Sequence, residues 1–339
     1  MNIQQALQAV LQRQNLSRDD MTAVMRQIMT GEATQAQIGG FLVGLRMKGE
    51  TVEEITAAAS VMRELAAGVG VPKEHLVDTC GTGGDGSGLF NVSTAVAFVS
   101  AAAGATVAKH GNRSISSKSG SADLLEAAGV NLGISPEQVA QCVKDIGVGF
   151  MFAPAHHSAM KHAIGPRKEM AVRTIFNVLG PLTNPAGAPN QVLGVFAQDL
   201  TQPLAEVLNA LGSRHVMVVA SDDGLDELSI AAPTQVSELK DGQVSTWMLN
   251  PADYGLKDSL DSIVVDSAEA SLALIQSAFS GEQGAAANII ALNAGAAIYV
   301  SGVAESLEDG IAKAQAVLAN GAAAEKLAAL AKMTQELAA

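Results

Sequence analysis

The sequence predicts an α/β protein: a helical amino-terminal part followed by a mostly parallel sheet. Two observations carry this. Up to about residue 70 the apolar residues recur only at helical spacing, with Leu7, Val10 and Leu11 on one face and Met21, Val24, Met25 and Ile28 on another. From His75 onward short apolar runs alternate with helical stretches, the pattern of strands joined by helices. The 339 residues suffice for one large domain or two ordinary ones, with a core that needs no disulfide or metal. Only 3% of them are aromatic, so the interior has to be built from small and aliphatic side chains.

Thr34 with Gln37, and Thr51 with Glu54, have the spacing of capping boxes and open two of the early helices. Between them Gly40 and Gly44 lie on one helix face and allow another helix to approach, either within the chain or across a subunit boundary. His75–Cys80 reads as a strand running into the glycine-rich Gly81–Gly88, and a helix begins near Ser93. Ala105–Lys109 is a second strand, followed by a polar loop and a helix at Ala122–Ala128. Ser135, Pro136 and Gln138 start the next helix, and Val148–Phe152 is a strand ending at Ala153-Pro154. A helical stretch then runs from His156 to Val178, with a break expected at Gly165-Pro166. Gln191–Phe196 and His215–Ala220 are strands around the helix Pro203–Leu211. Beyond Tyr254 the chain is Ala-rich and helical, with a short strand at Ser262–Val265.

The charge balance narrows the partners. With 21 Lys and Arg against 34 Asp and Glu the net charge is −13, which argues against nucleic acid but leaves room for a local anion site. The amino terminus has no basic segment leading into an apolar one. The run Val92–Ala108 is interrupted by Ser, Thr and Gly, and reads as a buried helix and strand rather than a membrane span. The two cysteines, Cys80 and Cys142, suit a reducing cytoplasm.

Four segments carry chemistry. Gly81, Gly83 and Gly86 satisfy a dinucleotide-type glycine pattern, but the acidic residue that should hold a ribose about 20 positions on is replaced by Lys109 and His110. A phosphate or diphosphate fits better, cradled by glycine backbone and by the helix start at Asn91, Ser93 and Thr94. The segment Lys109–Ser121 packs three cations, a histidine, five serines and an asparagine into an otherwise acidic protein, which is a local inversion suited to an anion. Asp222, Asp223, Asp226 and Glu227 follow a strand directly, and with a diphosphate nearby such carboxylates suit Mg²⁺. Arg167 offers a fork to a carboxylate. His156, His157 and His162 lack a zinc-binding pattern, and Cys80 reads as core rather than nucleophile.

The motifs GTGGDGSG-x-FNVSTA, KHGNRSISSKSGSADLLEAAGV, FMFAPAHH, GPRKEM-x5-FNVLGPLTNP and DGLDELS, in this order and over nearly the whole chain, resemble those of the anthranilate phosphoribosyltransferases. The resemblance implies a nucleoside phosphorylase-like fold, with a helical domain at residues 1–72, an α/β domain at residues 73–339, and a homodimer formed through the helical part. Helices near residues 160–185 would pack with the helical domain. It implies transfer of the phosphoribosyl group of 5-phosphoribosyl 1-diphosphate to the amine of anthranilate, with Mg²⁺, in tryptophan biosynthesis.

Carried onto matching positions, Gly81, Gly84, Asp85, Asn91, Val92, Ser93 and Thr94 would contact the phosphoribosyl diphosphate. So would Lys109, His110, Gly111, Asn112, Arg113, Ser114, Ile115, Ser116, Ser117 and Ser121. Ser93, Asp226 and Glu227 would serve the metal, while Gly81, Asn112 and Arg167 would meet anthranilate. Lys109, Asn112 and Arg167 are the expected catalytic residues. Leu89 departs from the family, which commonly has Thr or Ser there, so only a backbone contact to substrate remains at that position. Two rival readings are a pyrimidine nucleoside phosphorylase, whose phosphate loop differs from KHGNRS, and a nucleic-acid-binding relative, which the acidic charge disfavours.

Overall fold

The computed structural model describes residues 1–84, 86–114 and 119–339, so the expectations for Asp85, Ile115, Ser116 and Ser117 lie outside the described residues. Four helices open the chain: α1 (Ile3–Leu11), α2 (Arg18–Met29), α3 (Gln35–Lys48) and α4 (Val52–Leu65). Then follow β1 (Leu76–Gly81), α5 (Val92–Ala102), β2 (Thr106–Gly111), α6 (Ser121–Ala127), α7 (Pro136–Ile146) and β3 (Val148–Phe152). Short helices α8 (Ala153–His156), α9 (Lys161–Met170) and α10 (Phe176–Leu179) lead to β4 (Asn190–Gly194), α11 (Thr201–Ala210) and β5 (His215–Ser221). A hairpin of β6 (Thr234–Lys240) and β7 (Gln243–Leu249) precedes α12 (Ala268–Phe279), α13 (Ala285–Val300), α14 (Leu307–Asn320) and α15 (Ala322–Ala338).

Among the described residues the sheet has seven strands in the order β3-β2-β1-β4-β5-β6-β7. The first five are parallel, and the β6–β7 hairpin adds an antiparallel edge. Alternate residues feed two cores. Val192, Met217 and Val219 face α5 and the carboxyl-terminal helices, whereas Leu193, Val216 and Val218 face α11 and the amino-terminal bundle. The bundle core also takes in Ala163, Ile175, Phe176, Leu179 and Leu182, so the segment after β3 packs with the early helices. No helix is long and apolar enough to cross a membrane among the described residues.

Both expected capping boxes form, at Thr34 with Gln37 and at Thr51 with Glu54. Gly40 and Gly44 turn out to serve packing within the chain. A Cβ at Gly40 would meet Leu7 at 3.3 Å, and one at Gly44 would meet Val10 at 2.8 Å, so the pair lets α1 lie against α3.

Two local expectations are corrected, and one hairpin is added. Gly165-Pro166 does not break the helix, because α9 runs through it. Proline leaves the His162 carbonyl without its helical donor, and Gln35 Nε2 supplies one at 3.2 Å. The helix stops instead at Ala171, which takes the left-handed conformation at φ 51°. The β6–β7 hairpin was not anticipated, although its turn, Asp241-Gly242 with both residues at positive φ, is a hairpin signal. Ser262 and Ile263 belong to a 3₁₀ turn, Asp261–Ile263, and Val264 alone bridges to Leu89.

Candidate active site

The strand order reverses between β1 and β4, and open parallel sheets bind ligands at the carboxyl ends of strands at such a point. There Gly81 of β1 and Gly194 of β4 are paired in register. Neither position has room for a side chain. A Cβ at Gly81 would overlap the Asp226 carboxylate, and one at Gly194 would overlap the Asp226 carbonyl. Two glycines therefore admit Asp226, nearly buried, onto the strand ends. Its Oδ2 accepts a hydrogen bond from the Gly83 N–H at 2.7 Å, joining the acidic turn to the glycine-rich loop. Gly83, Gly84, Gly86 and Gly88 all lie at positive φ, which is why this loop is glycine.

Lys109, at the end of β2, is buried at 3% exposure and points into the same corner. Its Nζ donates to the Thr79 carbonyl and, at 3.2 Å, to Ser93 Oγ at the start of α5. Burial pushes its ammonium below the usual lysine range, while Asp78, Cys80, Glu227 and Asp226 pull the other way. Ser93 Oγ contacts this lysine, Asp226 and Glu227 act on it through their charge, and the three supply hard oxygen donors of a kind that fits Mg²⁺. The other two carboxylates of the acidic turn are engaged locally: Asp223 accepts from Ser221 and Ser229 Oγ at 2.5 and 2.6 Å, and Asp222 from Gln198 at 2.6 Å. The turn is held from behind by Asn293 of α13, which exchanges two 2.9 Å hydrogen bonds with the Leu228 backbone.

His110 is buried with an acceptor at each ring nitrogen. Nδ1 donates to Asp78 Oδ2 at 2.5 Å and Nε2 to the Gly180 carbonyl at 3.0 Å. With a carboxylate facing Nδ1 and a carbonyl facing Nε2, the protonated ring can donate to both. Burial opposes the charge, but Asp78 and Gly180 outweigh it and hold the group above the usual histidine value. Asp78, fully buried, is correspondingly held below the usual carboxylate range by His110 and Lys109 despite burial. Cys80 lies beside this pair and accepts from Gln191 Nε2 at 3.1 Å, and burial raises its thiol far above the ordinary value. Those facts suit a core thiol rather than a nucleophile.

The two phosphate-type loops are cross-linked. Asn91 donates through Nδ2 to the Ser119 carbonyl at 3.2 Å, and its Oδ1 accepts from Ser119 and Ser271 Oγ at 3.0 and 2.9 Å. Asn112 is exposed, its Oδ1 capping the Arg113 N–H at 2.8 Å and its carbonyl accepting from Ser121 Oγ at 3.3 Å. A Cβ at Gly111 would overlap Ser121, so that loop closes tightly. Ser114 N–H donates to Asp123 at 3.1 Å.

Not every expected residue turns toward this corner. The Arg113 guanidinium is paired with Asp123 and Glu126 of α6 and lies over Phe152. Thr94 is buried and lines a small apolar cavity with Phe98, Leu124, Leu125, Leu272 and Ile275. The Val92 side chain is also core, and Leu89 packs against the core while its backbone bridges to Val264. Arg167 sits half-buried on α9 with its guanidinium over Phe176 at 5.3 Å. Among the described residues the guanidinium has no hydrogen-bond or ion-pair partner, and no contact joins it directly to Lys109 or Asn112. Burial depresses its basicity.

Residues that sequence reasoning missed are supports: Asp78, Ser271 and Asn293. Asp78 carries a readable signal, a carboxylate inside an apolar strand, which requires a buried partner.

Comparison with known proteins is consistent over the whole chain. The glycosyl transferase family a/b domain matches residues 73–324, and the helical bundle domain of the same family matches residues 4–66. An anthranilate phosphoribosyltransferase of Thioalkalivibrio sulfidiphilus is 64% identical, covering 98% of this chain and 99% of that protein. One from Teredinibacter turnerae is also 64% identical, over 98% and 99%. The crystal structure of the Thermus thermophilus anthranilate phosphoribosyltransferase superposes with a TM-score of 0.93 at 42% identity, covering 97% of this chain and 99% of that one. The Saccharomyces cerevisiae enzyme, solved in complex with PRPP and Mg, gives a TM-score of 0.89 at 25% identity and 98% coverage of both chains. The chain belongs to the anthranilate phosphoribosyltransferase family.

Proposed function

We propose that this chain transfers the 5-phosphoribosyl group from 5-phosphoribosyl 1-diphosphate to the amine of anthranilate, releasing diphosphate, as a step of tryptophan biosynthesis. The observation that carries this is the junction of Asp226 with the glycine-rich loop at Gly83 N–H, beside buried Lys109. It brings a hard-oxygen cation site, a phosphate loop and a cation to the same strand ends. No feature of this kind favours the phosphorylase or the nucleic-acid-binding alternative.

The chemistry assigns roles. Anthranilate's amine is neutral at pH 7 and needs no strong base. The difficult step is loss of diphosphate from C1 through an oxocarbenium-like transition state. Bound Mg²⁺, held by Asp226, Glu227 and Ser93, would neutralise charge on the diphosphate. Lys109 adds its own charge there, and the backbone N–H groups of the Gly81–Gly88 loop and of the α5 start orient the phosphates. Arg167, with no carboxylate partner among the described residues, receives the anthranilate carboxylate, and Asn112 helps to place the amine opposite C1. Asn91, Ser121 and Arg113 act by shaping the loops. His110, with both nitrogens engaged, acts as a positioning residue rather than a proton carrier.

Residues 1–72 form the helical domain in this reading and 73–339 the catalytic one. The exposed Leu11, Val43 and Met47 on α1 and α3 support pairing of two chains through the helical domain. The free thiols of Cys80 and Cys142 support a cytoplasmic setting. Loss of anthranilate fluorescence tests the reading: it should require the protein, 5-phosphoribosyl 1-diphosphate and Mg²⁺ together. No loss with folded protein across Mg²⁺ concentrations would refute it.

A further inference from the structure

Arg173 occupies a position that the function above does not use. It lies in the turn between α9 and α10, beyond the left-handed Ala171 that ends α9. Its guanidinium stacks on Phe196, just past β4, with the charge 4.0 Å from the ring centroid. Nη2 donates to the Gly84 carbonyl at 2.5 Å. Its own main-chain carbonyl accepts from Arg46 of α3. One residue therefore ties the amino-terminal helices, the carboxyl end of the central strand β4 and the glycine-rich loop together.

We propose that Arg173 is a positioning residue that sets the glycine-rich loop for the diphosphate of the phosphoribosyl donor. The proposal rests on the transferase reading. A carbonyl left bare in a phosphate loop repels an anion, and Arg173 covers that of Gly84 with a cation. The stack on Phe196 holds the guanidinium plane, which a lysine cannot reproduce. Gly84, at φ 79°, is close enough that a Cβ would stand 3.1 Å from Arg173 Nη2, so the loop and the guanidinium are packed against each other.

The test is calorimetric titration of 5-phosphoribosyl 1-diphosphate with Mg²⁺ into the full chain, alongside KM values for both substrates. Arg173→Ala keeps the backbone anchor to Arg46. It should weaken donor binding about tenfold or more, with the anthranilate KM within about twofold of wild type and an unchanged Tm. Arg173→Lys should recover only part of the affinity, and Phe196→Leu should show a smaller loss in the same direction. Phe196→Leu also decides the matter if Arg173→Ala fails to fold. Unchanged donor affinity in Arg173→Ala, wild-type affinity in Arg173→Lys, or equal effects on both substrates would overturn the assignment. A wild-type chain that binds no donor would overturn the transferase reading along with it, whereas wild-type turnover with an unmoved variant overturns only the role of Arg173.

Discussion

The Asp226 carboxylate accepts the Gly83 N–H at 2.7 Å, and it reaches that position because the paired strand ends Gly81 and Gly194 have no side chains. The backbone of one strand end thereby sets where an acidic turn from another strand can lie. Gly194→Ala tests this without touching any charged group. The added methyl must displace the Asp226 backbone, at a cost of about 1–3 kcal/mol or more in stability. Activity should fall further than unfolding alone explains. Denaturant unfolding and kcat measured on the folded fraction check it. An Ala variant of wild-type stability and rate would mean the turn is free to move.

Asp226→Asn combined with Glu227→Gln keeps the shape and removes two charges. We expect kcat to fall by about 10² or more and the Mg²⁺ optimum to move upward. Initial rates across a Mg²⁺ titration decide the matter. An unaltered Mg²⁺ dependence would make these carboxylates structural only.

Arg167→Ala removes a guanidinium that no described residue neutralises. The anthranilate KM should rise about 10- to 100-fold, the value of a charge-assisted hydrogen bond to a carboxylate. The KM for 5-phosphoribosyl 1-diphosphate should change little. Equal increases in both would contradict the carboxylate assignment.

His110 and Asp78 give a pH signature to stability. His110 is held above its ordinary value of 6.5, so its contribution is complete below that pH and disappears as pH rises through the folded value. Asp78 is held below its ordinary 3.8, so its share is complete above that pH and is lost as pH falls through the folded value. The pair contributes fully between those two pH values. His110→Gln leaves Asp78 buried beside a neutral partner and should cost about 3–5 kcal/mol within that window. Urea unfolding at pH 5.5 and at pH 9 reads the difference, which should be larger at pH 5.5. A difference independent of pH would mean the ring is neutral throughout.

Much of this was legible in the residues, for reasons that differ by element. Capping boxes such as Thr34 with Gln37 are local, so the sequence carries them whole. The glycine-rich loop was legible because glycine takes positive φ without the steric cost that other residues meet, and Gly83, Gly84, Gly86 and Gly88 all lie there. Pro166 misled because its cost is met by Gln35, 131 positions away in the chain, and a local rule cannot see that donor. Side-chain direction was less legible: motif membership places Thr94 and Arg113 along the loops, and only the fold shows that Thr94 is buried and that Asp123 and Glu126 pair with the Arg113 guanidinium. Asn293 had no signal, since an asparagine within an Ala-rich helix reveals its partner only after folding.

The central claim is that one set of strand ends couples departure of diphosphate to capture by anthranilate. Measuring diphosphate release and anthranilate fluorescence in the same reaction tests it most directly. We predict equimolar release and consumption, both requiring Mg²⁺ and both absent without anthranilate. Diphosphate released in the absence of anthranilate, or in large excess over the anthranilate consumed, would contradict the account.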